Sequence, residues 1–255
     1  LDELQNMNDE KALQIEQFIE TKRNHVREYS ASEEMAVLIR GLDELKTDQT
    51  SAVREDAYQD LVSNYGIPVK QLFVQAGFTR MAVLERYQGT LLFDHNFRYQ
   101  DLGRSVRSED AGDRRLAEIA DRVRTSGLET IWDAYHPGSL EDSLVYYAVP
   151  LYDQQGNFTH VLVAGHSLNQ VNMMVSMDYG QYSTRDSFLV NSSSVILTEP
   201  RHPSGDVRLG ERTEHSLVRE ALRSFPERNS REYRDNNLRR LGSYSPVRTD
   251  RLEGI

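Results

Sequence analysis

The sequence predicts an α+β protein in which a long N-terminal helix precedes two antiparallel-sheet domains in tandem. Three observations lead there. Apolar residues recur at helical spacing through the first quarter of the chain, and after Gly77 they give way to short β-type runs. A hairpin–helix–hairpin order then repeats on a smaller scale toward the C-terminus, without residue-level identity between the halves.

From residue 1 to about Tyr29 the apolar positions Leu4, Ala12, Ile15, Ile19, Val26 and Tyr29 fall at steps of three, four or their sums, which is one amphipathic helix. Ser32, followed by Glu33 and Glu34, is the N-cap of a second helix running to about Leu45. Thr50 or Ser51 caps a third, expected to end at the Gly66-Ile67-Pro68 break. Beyond Gly77, Met81–Leu84 and Thr90–Phe93 flank Gln88-Gly89 as a β-hairpin. A helix over 113–125 leads to strands at 129–132, 143–151 and 158–164, the last two joined by Asp153-Gln154-Gln155-Gly156. A helix follows from Ser167 to about Met177. The smaller repeat consists of strands at 187–190 and 195–198, a helix at 214–225, and strands at 231–234 and 238–245. These readings divide the chain into helices at 1–76, one sheet domain at 77–180 and a second at 181–255.

Composition narrows the function. The net charge of -10 repels phosphate and argues against a nucleic-acid partner. With no cysteine there is neither a disulfide, a thiolate nucleophile nor a zinc–thiolate site. No run reaches the roughly 20 apolar residues of a membrane span. Leu1 in place of an initiator Met leads us to expect a fragment of a longer protein. The seven histidines form no HExxH or i,i+4 pair, so no metal is expected, and no motif implies a cofactor. His160 and His166 lie an even number apart on one predicted strand, where a structural role outweighs metal binding.

The best enzymatic hint is Gly165-His166-Ser167-Leu168-Asn169, set between strand and helix as a hydrolase nucleophile elbow would be. Asn169 stands where that elbow needs Gly, and the parallel βαβ repeat is missing, so Ser167 reads as a helix N-cap.

Several segments, taken in order, resemble the double-Cache (PAS-like) sensor domains of bacterial histidine kinases, diguanylate cyclases and chemoreceptors. They are Met81–Phe93 with its Gln-Gly turn, Asp101-Leu102-Gly103-Arg104-Ser105, Trp132-Asp133-Ala134-Tyr135, and Tyr147-Ala148-Val149-Pro150-Leu151-Tyr152-Asp153-Gln154-Gln155-Gly156. The resemblance implies a periplasmic or extracellular sensing portion of a cell-membrane receptor, tethered by flanking spans. It implies a membrane-distal Cache domain holding a small solute and a membrane-proximal one passing the signal to a cytoplasmic output, here expected to be a histidine kinase or a diguanylate cyclase. It also implies a homodimer through the N-terminal helix, with Ala12, Ile19 and Val26 as the candidate seam. Any catalysis would lie in that missing output. By family position, the ligand site draws on Tyr99, Asp101, Arg104, Trp132, Asp133, Tyr135 and Tyr147, with aromatic walls and Arg104 clamping a carboxylate. Relatives that bind amino acids place acids where this chain has Gly165 and His136-Pro137, which turns the expectation toward a small carboxylate. The alternative is a free-standing periplasmic binding or serine-hydrolase-like protein.

Overall fold

The computed structural model describes residues 2–47, 51–95, 103–106, 111–136, 139–153, 155–176, 186–202, 207–235 and 238–247. It opens with the long helix α1 (Asp2–Ser30) and then α2 (Glu33–Thr47), whose N-terminus is capped by Ser32 Oγ accepting from Met35 N at 3.2 Å. Helix α3 (Ser51–Leu61) does not stop at the expected Gly-Ile-Pro break. It passes through a π-helical turn, Val62–Gly66, into α4 (Ile67–Gln75). Pro68, which has no N–H to donate, is the second residue of α4, just past that π-helical turn. Gly66 is there for space, since a Cβ would come within 2.9 Å of the Phe93 ring.

Helix α4 ends as a Schellman motif. Phe78 N donates to Phe73 O and Gly77 N to Val74 O, with Gly77 at φ 79° and the Phe73 and Phe78 rings 5.6 Å apart. That cap turns the chain into strand β1 (Arg80–Glu85), followed by β2 (Leu91–Asp94), α5 (Ala111–Ser126), β3 (Thr130–His136), β4 (Ser139–Tyr152), β5 (Phe158–Ser167) and α6 (Leu168–Ser176). The five strands form one antiparallel sheet in the order β2-β1-β5-β4-β3. Gly89, at φ 65°, supplies the turn between β1 and β2, and Gly156, at φ 80°, the one between β4 and β5. Residues 103–106 lie along the outer edge of β2, with Leu91 N donating to Arg104 O and Gly103 N to Leu91 O. The fold class is thus α+β, with a long N-terminal helix, as the sequence predicts.

The C-terminal region departs from expectation. The strands predicted at 187–190 and 195–198 are reduced to single bridges, Val190 to Ile196 and Val195 to Arg212. Leu197 N donates to Leu189 O, but Leu189 N turns to the Thr198 hydroxyl at 2.8 Å, which ends the ladder there, and in the turn Asn191 Oδ1 accepts from the N–H groups of Ser193 and Val195. Helix α7 (Ser216–Ser224) and the hairpin β6 (Asn229–Asp235) with β7 (Leu238–Tyr244) form as expected.

The chain divides into two compact units. A sheet unit comprises Lys22–Ala134 and Val145–His166; a second comprises Leu1–Thr21, Tyr135–Leu144 and Ser167–Ile255, and so carries both chain ends. The first 21 residues and α6 thus fall in the unit of the C-terminus. Ala12, Ile15, Ile19 and Val26 are all buried within the chain, so the apolar seam of α1 is already covered.

Candidate ligand site

The register of β1 against β5 fixes which residues share a face of the sheet. Arg80, Ala82 and Leu84 stand opposite Gly165, Val163 and Val161, so these six share one face. Met81, Val83 and Glu85 stand opposite Ala164, Leu162 and His160 on the other. The second face meets the helices: His160 Nε2 bonds Asp43 of α2 at 3.0 Å, and Phe93, opposite Val83, packs on Gly66.

Tyr147 belongs to that helical face. It is 1% exposed, its hydroxyl lies 3.1 Å from His166 Nε2, and its ring stands edge-on to Phe78 at 5.9 Å. The contacts continue from Phe78 to Phe73, Tyr29 and His25, an unbroken aromatic series from β4 to α1. Lys22 of α1 lies 5.4 Å from the Phe78 ring centroid and donates to Ala76 O at the end of α4. Burial lowers the pKa of that amine.

Alternation sends the preceding residue to the opposite face. Tyr146 is buried, and Arg80 Nη1 donates to its hydroxyl at 3.3 Å. Asp94, opposite Ala82, adds an acid on this face, and Gly165 stands directly across from Arg80. The position where an acid was expected is therefore faced by a guanidinium. Next to Asp94, burial and then the charges of Arg80 and Lys70 hold the His95 imidazole below its usual pKa, against the opposing pull of Asp94. Lys70 Nζ itself donates to His95 O at 2.6 Å. What results is one end of a sheet face carrying a guanidinium, a phenol and a carboxylate, the groups that would orient a small polar solute.

Of the residues expected at the site, Tyr99 and Asp101 lie outside the described residues, as do the side chains of Asp133 and Tyr135, whose backbone forms β3. Arg104 is exposed on the segment bordering β2. Trp132 is half-buried, with the Arg122 guanidinium of α5 3.7 Å from its ring centroid. Arg80, Tyr146 and Asp94 were not singled out from the sequence. The available signal was Arg80 as the lone charge at the head of the apolar run Met81–Leu84.

No family model matches the chain, and no curated protein matches it. Solved structures do. The ligand-binding domain of the Pseudomonas aeruginosa amino-acid chemoreceptor PctC, in complex with GABA, aligns over 99% of this chain and 94% of its own, with TM-score 0.60 and 16% identity. The ligand-binding domain of the Pseudomonas fluorescens chemoreceptor CtaA, in complex with L-isoleucine, aligns over 99% and 87%, with TM-score 0.56 and 13% identity. The fold is that of the Cache-type ligand-binding domains of chemoreceptors. An extracellular ligand-binding receptor from Desulfohalobium retbaense shares it at TM-score 0.56 and 11% identity, over 91% of this chain and 36% of that one, so the chain spans about a third of that relative.

Within this sensor fold Ser167 occupies the junction of β5 and α6, and its Oγ accepts from Asn169 N at 3.1 Å, the N-cap geometry expected of it. The adjacent His166 is fully buried against Tyr147. Among the described residues no cluster of His, Asp and Glu is arranged to hold a metal, and no helix is long and apolar enough to cross a membrane.

Proposed function

We propose that this chain is the extracytoplasmic ligand-sensing part of a membrane receptor, and that it binds a small carboxylate-bearing solute on the Arg80 face of its five-stranded sheet. The observation that carries this reading is the end-to-end match to a chemoreceptor ligand-binding domain, 99% of one chain on 94% of the other. The neighbours' ligands, GABA and L-isoleucine, both carry a carboxylate, and Arg80 with the Tyr146 hydroxyl is suited to hold one. Ser167 serves as a helix cap and the domain is a binder, not a catalyst; a kinase, cyclase or chemoreceptor output belongs to another part of the receptor.

The sheet unit is the distal, sensing domain in this reading, and the unit holding both chain ends is the membrane-proximal one. In that second unit Asn8 Nδ2 donates to Ser243 O at 2.9 Å and Gln5 Nε2 to Ser245 Oγ at 2.9 Å. The first turns of α1 thus lie beside the end of β7, as two segments leading to adjacent membrane spans would. A homodimer through α1 would use the face carrying exposed Leu13, since the Ala12–Ile19–Val26 seam is covered.

A thermal-shift screen of the 255-residue chain against organic acids, amino acids, amines and sugars tests the reading, because a ligand that binds the native state raises Tm by mass action. We expect carboxylates to stabilise the wild type and the shift to disappear in Arg80→Gln with the ligand-free Tm unchanged. Asp94→Asn then separates amino acids, which lose affinity, from plain acids, which keep it. A carboxylate shift that survives Arg80→Gln would overturn the site, and a carboxylate-blind plate would overturn the ligand class.

A further inference from the structure

The second unit carries a groove that the sensing function leaves unused. It has a volume of about 480 Å³, within the range of small-molecule sites, and is lined by Ser216, Arg219, Glu220, Arg223 and Ser224 of α7 and by Arg231 of β6. The spacing of the five α7 residues puts them on one helical stripe, while Val218, Ala221 and Leu222 form the opposite one. Val218 is buried, and Leu217 packs where a Cβ on Gly242 of β7 would intrude. The helix is therefore held by its apolar side, with its arginines turned into the groove.

The charges there do not cancel. Glu220 pairs with Arg231 at 2.5 Å. Arg219 has only the exposed Glu214 at 3.8 Å, and Arg223 has no carboxylate partner among the described residues. Arg219 and Arg223 are one turn apart, a like-charge pair, and Glu220 on the same stripe is engaged by Arg231. Arg231 Nε is buried without a hydrogen-bond partner, an unusual state for an arginine that lines a cavity. Three guanidinia line the groove against one carboxylate, and with the exposed Glu214 set against Arg219 one positive charge remains, on a chain whose net charge is -10.

We propose that this groove is a second binding site, specific for a phosphate group. A phosphate group complements the sign of the surplus charge, and its oxygens accept paired N–H bonds from the planar guanidinium fork. Arg219 and Arg223 grip the anion from successive turns, and Arg231 closes it from the strand. Free phosphate, a phosphorylated solute and a phospholipid headgroup share this chemistry.

The test uses the 255-residue chain and two probes: inorganic phosphate titrated by calorimetry against chloride at equal ionic strength, and flotation with vesicles of phosphatidylglycerol or phosphatidylcholine. Phosphate binding that weakens about tenfold or more for each of Arg219→Gln and Arg223→Gln supports the site with a soluble ligand. Binding only to phosphatidylglycerol vesicles, lost in the same variants, supports it with a headgroup as the source. Both arginines are exposed, so these variants are expected to fold; Glu220→Gln, which removes the groove's one negative charge, is expected to tighten binding several-fold. Absence of binding in both assays, or binding indifferent to all three substitutions, overturns the proposal.

Discussion

The sheet unit is filled by large apolar side chains, with Tyr58, Phe73, Phe93, Tyr147, Ile119 and Leu162 among its fully buried residues. The unit carrying both chain ends buries smaller side chains, Ile15, Ile19, Leu168, Val171, Ile196 and Leu197, and adds to them a row of polar contacts along α1. Gln5 and Asn8 bond residues 243–245, Asp9 pairs with Arg228 and accepts from Ser245 Oγ at 2.7 Å, and Lys11 donates to Val175 O at 2.6 Å. Apolar cores resist deformation because every displaced methylene loses contacts, whereas exposed polar contacts exchange with water at little cost. Under the proposed sensing function, the apolar unit would be the firm frame that reads the solute and the polar fastening along α1 the compliant part that passes the response on.

Removing an aromatic from the firm unit should have the largest effect. Phe73 joins Tyr29 of α1 to Phe78, and Phe73→Ala is expected to cost about 3–5 kcal/mol, measured as the shift in urea midpoint at unchanged m. A cost below about 1 kcal/mol would mean that the aromatic series is not structural.

An intermediate effect is expected at Glu129, which receives Arg27 Nε at 2.6 Å and Arg23 Nε at 2.9 Å. Burial alone would raise its pKa, but the hydrogen bonds and charges of Arg27 and Arg23 prevail and lower it. A depressed carboxylate pKa contributes stability that is fully present above the ordinary carboxylate range and is lost as pH falls through the folded value. Glu129→Gln should therefore cost about 1–3 kcal/mol at pH 7, with the wild-type advantage fading in acid. Chemical denaturation at pH 7 and pH 3 checks it, and an equal deficit at both would refute the linkage.

The smallest effect belongs to the polar fastening. Asn8→Ala removes two bonds to Ser243, at 2.9 and 2.6 Å, and should lower stability by about 1 kcal/mol. The sharper readout is amide hydrogen exchange. Protection should fall in β6 and β7 and stay unchanged in β1 and β5; loss in both units would show that they open together.

Much of this was legible in the sequence, and the exceptions have physical causes. The α1 stripe, the Ser32 and Ser167 caps and the glycine turns at 89 and 156 all follow from local rules that tertiary contacts did not override. Which face of the sheet Tyr146 and Tyr147 each take was not legible. Residues 143–149 of β4 are buried on both faces, so the alternation that normally separates inside from outside is erased, and only the partners Arg80 and His166 reveal it. Gly66 read as a break because sequence cannot tell a glycine chosen for its φ from one chosen for the ring that sits against it.

Two lysines of α1 give the comparison between units a chemical handle. Lys11 in one unit and Lys22 in the other are about three helical turns apart, both buried, and each donates to a carbonyl at the C-terminal end of another helix. An amine so enclosed is shielded from acylating reagents until its surroundings part. The order in which these two positions acquire a label, read by peptide mass, becomes a clock for which half of the molecule loosens first and whether a bound solute slows one hand or both.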